Sequence, residues 1–304
     1  MIVRTPPNTL AMLLAMRGSV MSQIWLRIVI VGVMATAVVT APQVWYLPLV
    51  SFSLAPLSLL GLVLSIFLGF RNNACYDRWW EARKQWGHLI AQQRALARDV
   101  AVLLPDDEAR RRRMLKRSIA FAGCLAARLR GLDEVAAVSK WLSAEDAEKL
   151  AKAGNRPSAI LRWLSEETIQ AMRAGEIDEI LFRVIEDRIE EMNGVQAACE
   201  RIRSTPTPFA YSLLLHRTSW IFCLLAPFGL IGSCGLVTPL ISVVLAYAFF
   251  GLDALGDELE EPFGLLPNDL PLDAMVRVIE IDLLEVAGER DLPPPLAPIR
   301  YQLT

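Results

Sequence analysis

Leu62, Ile66 and Phe70 recur every fourth residue within "GLVLSIFLGFRNN" (residues 61–73), and Gly61, Ser65 and Gly69 run beside them at the same spacing. At 3.6 residues per turn, each trio makes one stripe of a helix. Small residues at this interval let helices approach closely in lipid. A bulky apolar stripe turned toward an axis shared by copies of the same helix would stack apolar rings, a constriction that gates ions by dewetting. One helix cannot line a pore, so that chemistry requires a homo-oligomer. The same spacing equally suits a helix packed inside its own subunit. Arg71, Asn72 and Asn73 end the apolar run and mark where the helix leaves the hydrocarbon.

Other chemistry is sparse. There are two histidines, His88 and His216, with no cysteine or carboxylate at zinc-ligand spacing. No phosphate-cradling glycine loop, nucleophile elbow or HExxH occurs, so the chain does not read as an enzyme. His88 reads as a helix-surface residue. His216 and Arg217 lie about one turn inside an apolar run and are expected to snorkel to the interface. Five cysteines without paired spacing read as free thiols that fill space. The run Arg110–Arg113 could be a nucleic-acid patch, but a solvated face near anionic lipid suits it better. From Leu132 to Glu200 there are 15 carboxylates against eight basic residues. That surplus is either a plain solvated surface or an acidic vestibule that concentrates cations.

The elements carrying these residues follow from charge spacing. The chain has 304 residues, 54% hydrophobic, and a formal charge of −2. No charged residue occurs over the 43 positions between Arg27 and Arg71, nor over the 35 from Thr218 to Leu252. A membrane helix needs about 20 apolar residues, so each gap is long enough for two. Turn residues (Ala41-Pro42-Gln43 and Pro48; Gly232 to Gly235 and Pro239) divide them into spans near 24–41, 50–70, 211–231 and 237–252. Cations precede the first span, follow the second and precede the third, while the flank after the fourth (Asp253 to Glu261) is acidic, and carboxylates weigh little in the positive-inside rule; both termini and the middle of the chain are therefore expected in the cytoplasm. Trp45 and Tyr46 fall where an outer aromatic belt would lie. The N-terminal stretch, short in its apolar core and followed by Arg17, reads as an interfacial amphipathic helix rather than a signal peptide.

The middle region lacks strand alternation and reads as helices. "DDEARRRR" starts one with acids in its first turn, Ser143 with Asp146 starts another as a capping box, and Gly175 breaks a third. Ile177, Ile180, Leu181, Val184, Ile185, Ile189 and Met192 mark one buried face. The expected architecture is an all-α integral membrane protein. It comprises an interfacial helix (1–23), a membrane hairpin (24–72), a helical cytoplasmic region (73–208), a second hairpin (209–253), and a helix with an extended tail (254–304).

"SLAPLSLLGLVLSIFLGFRNNACYDRWWEARKQWG" (Ser53–Gly87), "ERIRSTPTPFAY" (Glu200–Tyr211) and "DELEEPFGLLPNDLPLD" (Asp257–Asp273) resemble, in order and topology, the bestrophin channels and their bacterial members. That resemblance implies a homopentamer of four-span subunits in the bacterial inner membrane, each subunit partnered by four copies of itself and by lipid. It implies a central pore for small monovalent ions whose neck rings match Leu62, Ile66 and Phe70. Leu62 stands where isoleucine is common. A second, cytoplasmic aperture best matches Ile180. Eukaryotic relatives follow "PFG" with a dense acidic run that clasps calcium, a cation wanting several oxygen ligands. After Pro262-Phe263-Gly264 only Asp269 and Asp273 remain nearby, so no cofactor is expected, and those two carboxylates are expected to cap the following helix. The family contains channels of both signs, and the acidic surplus after Leu132 leans to cations. The alternatives are an anion channel or a non-conducting helical scaffold in the membrane; nucleic acid is not an expected partner.

Overall fold

A computed structural model describes residues 1–3, 15–16, 18–45, 53–104 and 107–304, with the backbone alone at 42–45. Most of the expected interfacial helix lies outside the described residues, as do Arg4, Arg17, Tyr46, Pro48 and the Trp45 side chain. Among the described residues the regular structure is helical, with two isolated antiparallel bridges near the C-terminus.

The chain forms two compact units, described in turn. The apolar unit (Thr5–Trp79 and Pro206–Glu261) holds α1 (Met21–Trp45), the first half of α2 (Leu54–Leu103), α8 (Phe209–Cys234) and α9 (Thr238–Glu260). Among the described residues three stretches are long and apolar enough to cross a membrane: Met21–Ala41, α2, and Phe209–Glu260. The third is divided at Gly235, whose φ of +52° lies where only glycine is unstrained; a short 3₁₀ turn (Gly235–Val237) leads into α9, with Pro239 in its first turn. Thr36 and Thr40 donate their hydroxyls to the carbonyls of Gly32 and Thr36 four residues back, which satisfies them without leaving the helix. The core joins Ile24 and Val31 of α1, Leu64 and Leu68 of α2, Leu215 and Phe222 of α8, and Ala246, Phe249 and Phe250 of α9.

Two boundaries differ from expectation. The helix α1 runs through Pro42 to Trp45, so Ala41-Pro42-Gln43 is not the turn. The helix α2 continues for 50 residues, straight through Arg71-Asn72-Asn73. Arg and Asn change polarity but break no backbone hydrogen bond, so a polar exit from lipid need not end a helix.

The polar unit (Met1–Arg4, Trp80–Thr205 and Pro262–Thr304) is built on α3 (Glu108–Arg130). Asp107 caps α3 by accepting from the Arg110 N–H at 2.8 Å, and Gly131, at φ +70°, closes it. Around it come α4 (Glu134–Val138), α5 (Ala144–Ala151, capped by Ser143), α6 (Arg156–Arg173), α7 (Glu179–Ser204) and α10 (Leu272–Val286). Ile119, Phe121 and Leu125 of α3, Ile160 and Leu164 of α6, Ile185 and Met192 of α7, and Ile279 and Leu283 of α10 are buried, as is Trp86 from the second half of α2.

The arginine run is not a free face. Glu167 of α6, itself buried, accepts from Arg113 (2.5 and 2.8 Å) and Arg117 (2.9 Å), and Arg110 pairs with Glu176. Arg112 pairs with Glu108 at 3.0 Å. Glu167 alone faces Arg110, Arg113 and Arg117 along about two turns of α3, while Arg112 is paired within α3.

Candidate functional site

The first half of α2 has two opposed faces. Leu57, Leu64, Leu68, Arg71 and Cys75 are buried at helical spacing. About 100° per residue places Leu62, Ile66 and Phe70 on the other side of the helix. Their side chains are 58%, 48% and 60% exposed within the subunit. Leu59, Val63 and Phe67 widen that apolar surface, and Phe67 and Phe70 meet edge-on at 6.4 Å. On a helix long and apolar enough to cross a membrane, a face of this extent meets lipid, another copy of the chain or a lumen.

The small-residue stripe is divided in use. Gly61 sits under Phe222 of α8, where an added Cβ would come within 2.9 Å of the ring. Ser65 is exposed and returns its hydroxyl to the Leu62 carbonyl at 2.8 Å, and Gly69 has open space where a Cβ would stand. Gly61 therefore serves packing inside the chain, while Ser65 and Gly69 lie beside the exposed face.

One turn below the stripe is a buried charge cluster that residue spacing did not reveal. Arg71, only 1% exposed, extends Nη1 to the Asp253 carbonyl (3.2 Å) and Oδ1 (3.1 Å), and Nη2 to Asp257 (2.5 Å) and Glu260 (3.4 Å). Asp253, equally buried, also meets Arg27 of α1 at 3.4 Å and Nδ1 of His216 of α8 at 2.7 Å. Arg78 donates to the Glu260 carbonyl at 2.7 Å, and Thr207 caps the Glu260 carboxylate. His216 thus points to a protein carboxylate instead of snorkelling, because Asp253 offers it an anion at its own depth. Arg217 next to it is exposed. The available signal was the spacing of Asp253, Asp257 and Glu260, which puts three carboxylates on one face of α9 directly after the charge-free gap.

In the polar unit, Ile180 departs from the buried face expected of it. Ile177, Ile185, Ile189 and Met192 are buried, but Ile180, in the first turn of α7, is 75% exposed. Asp178 caps that helix by accepting from the Leu181 N–H at 2.8 Å, and Glu179 is exposed beside it. Much of the acidic surplus is neutralised locally, Glu134 by Arg128 and Arg156, Asp146 by Arg117, and Glu176 by Arg110, while Glu191 meets the His88 ring at 2.9 Å. Glu179, Asp187 and Glu190, all exposed on α7, have no ion-pair partner among the described residues.

Asp269 and Asp273 do not cap α10. Asp269 is buried and staples its own loop by accepting from the Leu266 N–H at 2.7 Å; Asp273 pairs with Arg130 at 2.6 Å, and Pro271 stands at the cap position without a side-chain bond. Among the described residues no three His, Cys, Asp or Glu side chains gather as a metal site. Both carboxylates make protein contacts.

The described cysteines are free thiols, and Cys124 and Cys199 are buried in the polar unit. Burial, reinforced by the neighbouring Glu200 and Glu81 carboxylates, pushes the Cys199 thiol up to about 12. At pH 8 about one such thiol in ten thousand is ionised. A maleimide at pH 8 is therefore expected to leave Cys199 unlabelled in the native protein and to label it after denaturation, as read by peptide mass spectrometry. Native labelling would contradict its burial.

Three comparisons bear on this arrangement. A family model described as Bacterial/Fungal Bestrophin protein matches residues 1–285. A voltage-dependent anion channel-forming protein of Mesorhizobium japonicum is 44% identical over 298 residues, covering 98% of this chain and 95% of that protein. One of the same name from Salmonella typhi is 42% identical over 306 residues and covers both chains fully. The crystal structure of a bacterial bestrophin homologue from Klebsiella pneumoniae superposes with a TM-score of 0.85 at 36% identity, covering 88% of this chain and 100% of that one.

Proposed function

The chain belongs to the bacterial and fungal bestrophin family of ion channels, and from that premise we propose that its copies surround a central pore with Leu62, Ile66 and Phe70 as three successive apolar rings. The observation that carries this is the exposure of all three on the face of α2 opposite its buried one. In the assembly the rings form a neck that small monovalent ions cross when it is wetted. The assembly is a homopentamer in the bacterial inner membrane, each subunit crossing four times with its third apolar stretch divided at Gly235. Arg71, Arg78, Arg83 and Lys84 hold the polar unit on the cytoplasmic side. Ile180 forms a second aperture there. Opening needs no calcium, since Asp269 and Asp273 are occupied by Leu266 and Arg130.

The names of the relatives support anions as the permeant species. A cation-conducting reading rests on a separate observation, Glu179, Asp187 and Glu190, which are exposed on the helix that carries Ile180 and have no ion-pair partner among the described residues. A potassium chloride gradient across a bilayer holding the purified protein distinguishes them. Reversal at the chloride potential is expected; reversal at the potassium potential would establish the second reading. Absence of current from intact oligomers would leave a membrane scaffold.

A further inference from the structure

We propose that Arg71 is a positioning residue for the neck: its guanidinium, gripped by Asp253, Asp257 and Glu260, sets the rotation of α2 and so the direction in which Leu62, Ile66 and Phe70 point. The inference rests on the reading of those three residues as pore rings.

The helices α1, α8 and α9 pack on one another directly, whereas α2 joins them through individual side chains. Leu64 and Leu68 enter the shared core, Leu57 lies against Gly229 and Gly61 under Phe222, contacts that fix how closely α2 approaches but supply no directional bond. Tyr211 adds a bond to the Phe67 carbonyl at 3.1 Å. Arg71 is different in kind. It is the residue after Phe70, it is buried, and its planar fork reaches three carboxylates spaced along one face of α9. Arg78, two turns further along the same face of α2, fixes the same carboxyl end of α9 through the Glu260 carbonyl. Gly256 makes room for the fork: a Cβ there would stand 2.8 Å from Asn72 Oδ1 and 3.1 Å from Arg71 Nη1. With side chains reaching about 5–6 Å from the helix axis, a rotation of roughly 10° moves a ring-forming tip by about 1 Å. In a narrow apolar ring that displacement decides which ions fit.

Replacing Arg71 itself risks the fold, so the test uses Asp257, whose side chain is 53% exposed. In liposomes, the permeability of a large monovalent ion is measured relative to a small one of the same sign, gluconate to chloride and N-methylglucamine to sodium. Asp257→Asn and Gly256→Ala are each expected to change that ratio severalfold in oligomers of unchanged size, and Asp257→Glu to restore it. In an Ile66→Ala background, Asp257→Asn should add no further change. An altered ratio in Ile66→Ala alone, with Asp257→Asn and Gly256→Ala like the parent, overturns the positioning role. An Ile66→Ala variant indistinguishable from the parent overturns the neck itself, and the inference with it.

Discussion

Ile66→Ala is expected to raise single-channel conductance about tenfold in planar bilayers. Ile66 is the middle of three apolar residues and half exposed in the subunit, so truncating it widens a ring while opening no cavity in the core. Water enters an apolar constriction readily only above a threshold width, and the dewetted state is the barrier. Removing about 1.4 kcal/mol from that barrier corresponds to a tenfold rate. The substitution should leave the thermal midpoint of the oligomer nearly unchanged. Conductance equal to the parent's, from oligomers of the same size, would take Ile66 out of the permeation path.

Asp253→Ala should instead act on stability. Asp253 is the meeting point of Arg27, Arg71 and His216, and its loss leaves Arg71 buried with only the outer carboxylates. Breaking a buried ion pair from one side costs about 3–5 kcal/mol, since the surviving charge keeps its desolvation penalty. Thermal unfolding in detergent is expected to show a midpoint several degrees lower, with Asp253→Asn intermediate because the amide retains an acceptor oxygen. A midpoint equal to the parent's would mean that the remaining acceptors suffice for the cluster.

The features legible in the sequence are those fixed by near neighbours. Two long charge-free gaps announced the apolar helices, the run Gly232 to Gly235 announced the break between α8 and α9, the acids of "DDEARRRR" announced the start of α3 and Ser143 that of α5, because turn, cap and dipole effects act over three or four residues. Leu62, Ile66 and Phe70 could be placed on one stripe by the same local rule. The pairings were not legible. Arg71 and Asp253 are 182 positions apart, and Arg113 and Glu167 are 54 apart. Charge alone does not choose among many possible partners, so the carboxylates that meet the arginine run were not foreseen, though Arg112 and Arg113 are exposed as a solvated face would be, and His216 looked free to snorkel. Asp269 and Asp273 were misjudged for a related reason. Proximity to the start of α10 suggested capping, but the loop geometry turned one toward Leu266 and the other toward Arg130.

The separation of Arg71 from Asp253 also has a meaning in time. A ribosome adding about 5–20 residues per second takes roughly ten to forty seconds to pass from one to the other. Throughout that interval the apolar half of α2 is already made while the carboxylates that will hold its arginine are not yet all in place. During biogenesis Arg71 must keep its charge hydrated at the membrane surface, leaving the helix free to spin. Its final facing is acquired only when the last apolar hairpin arrives, so the rotational setting of α2 is among the last features of the subunit to be fixed.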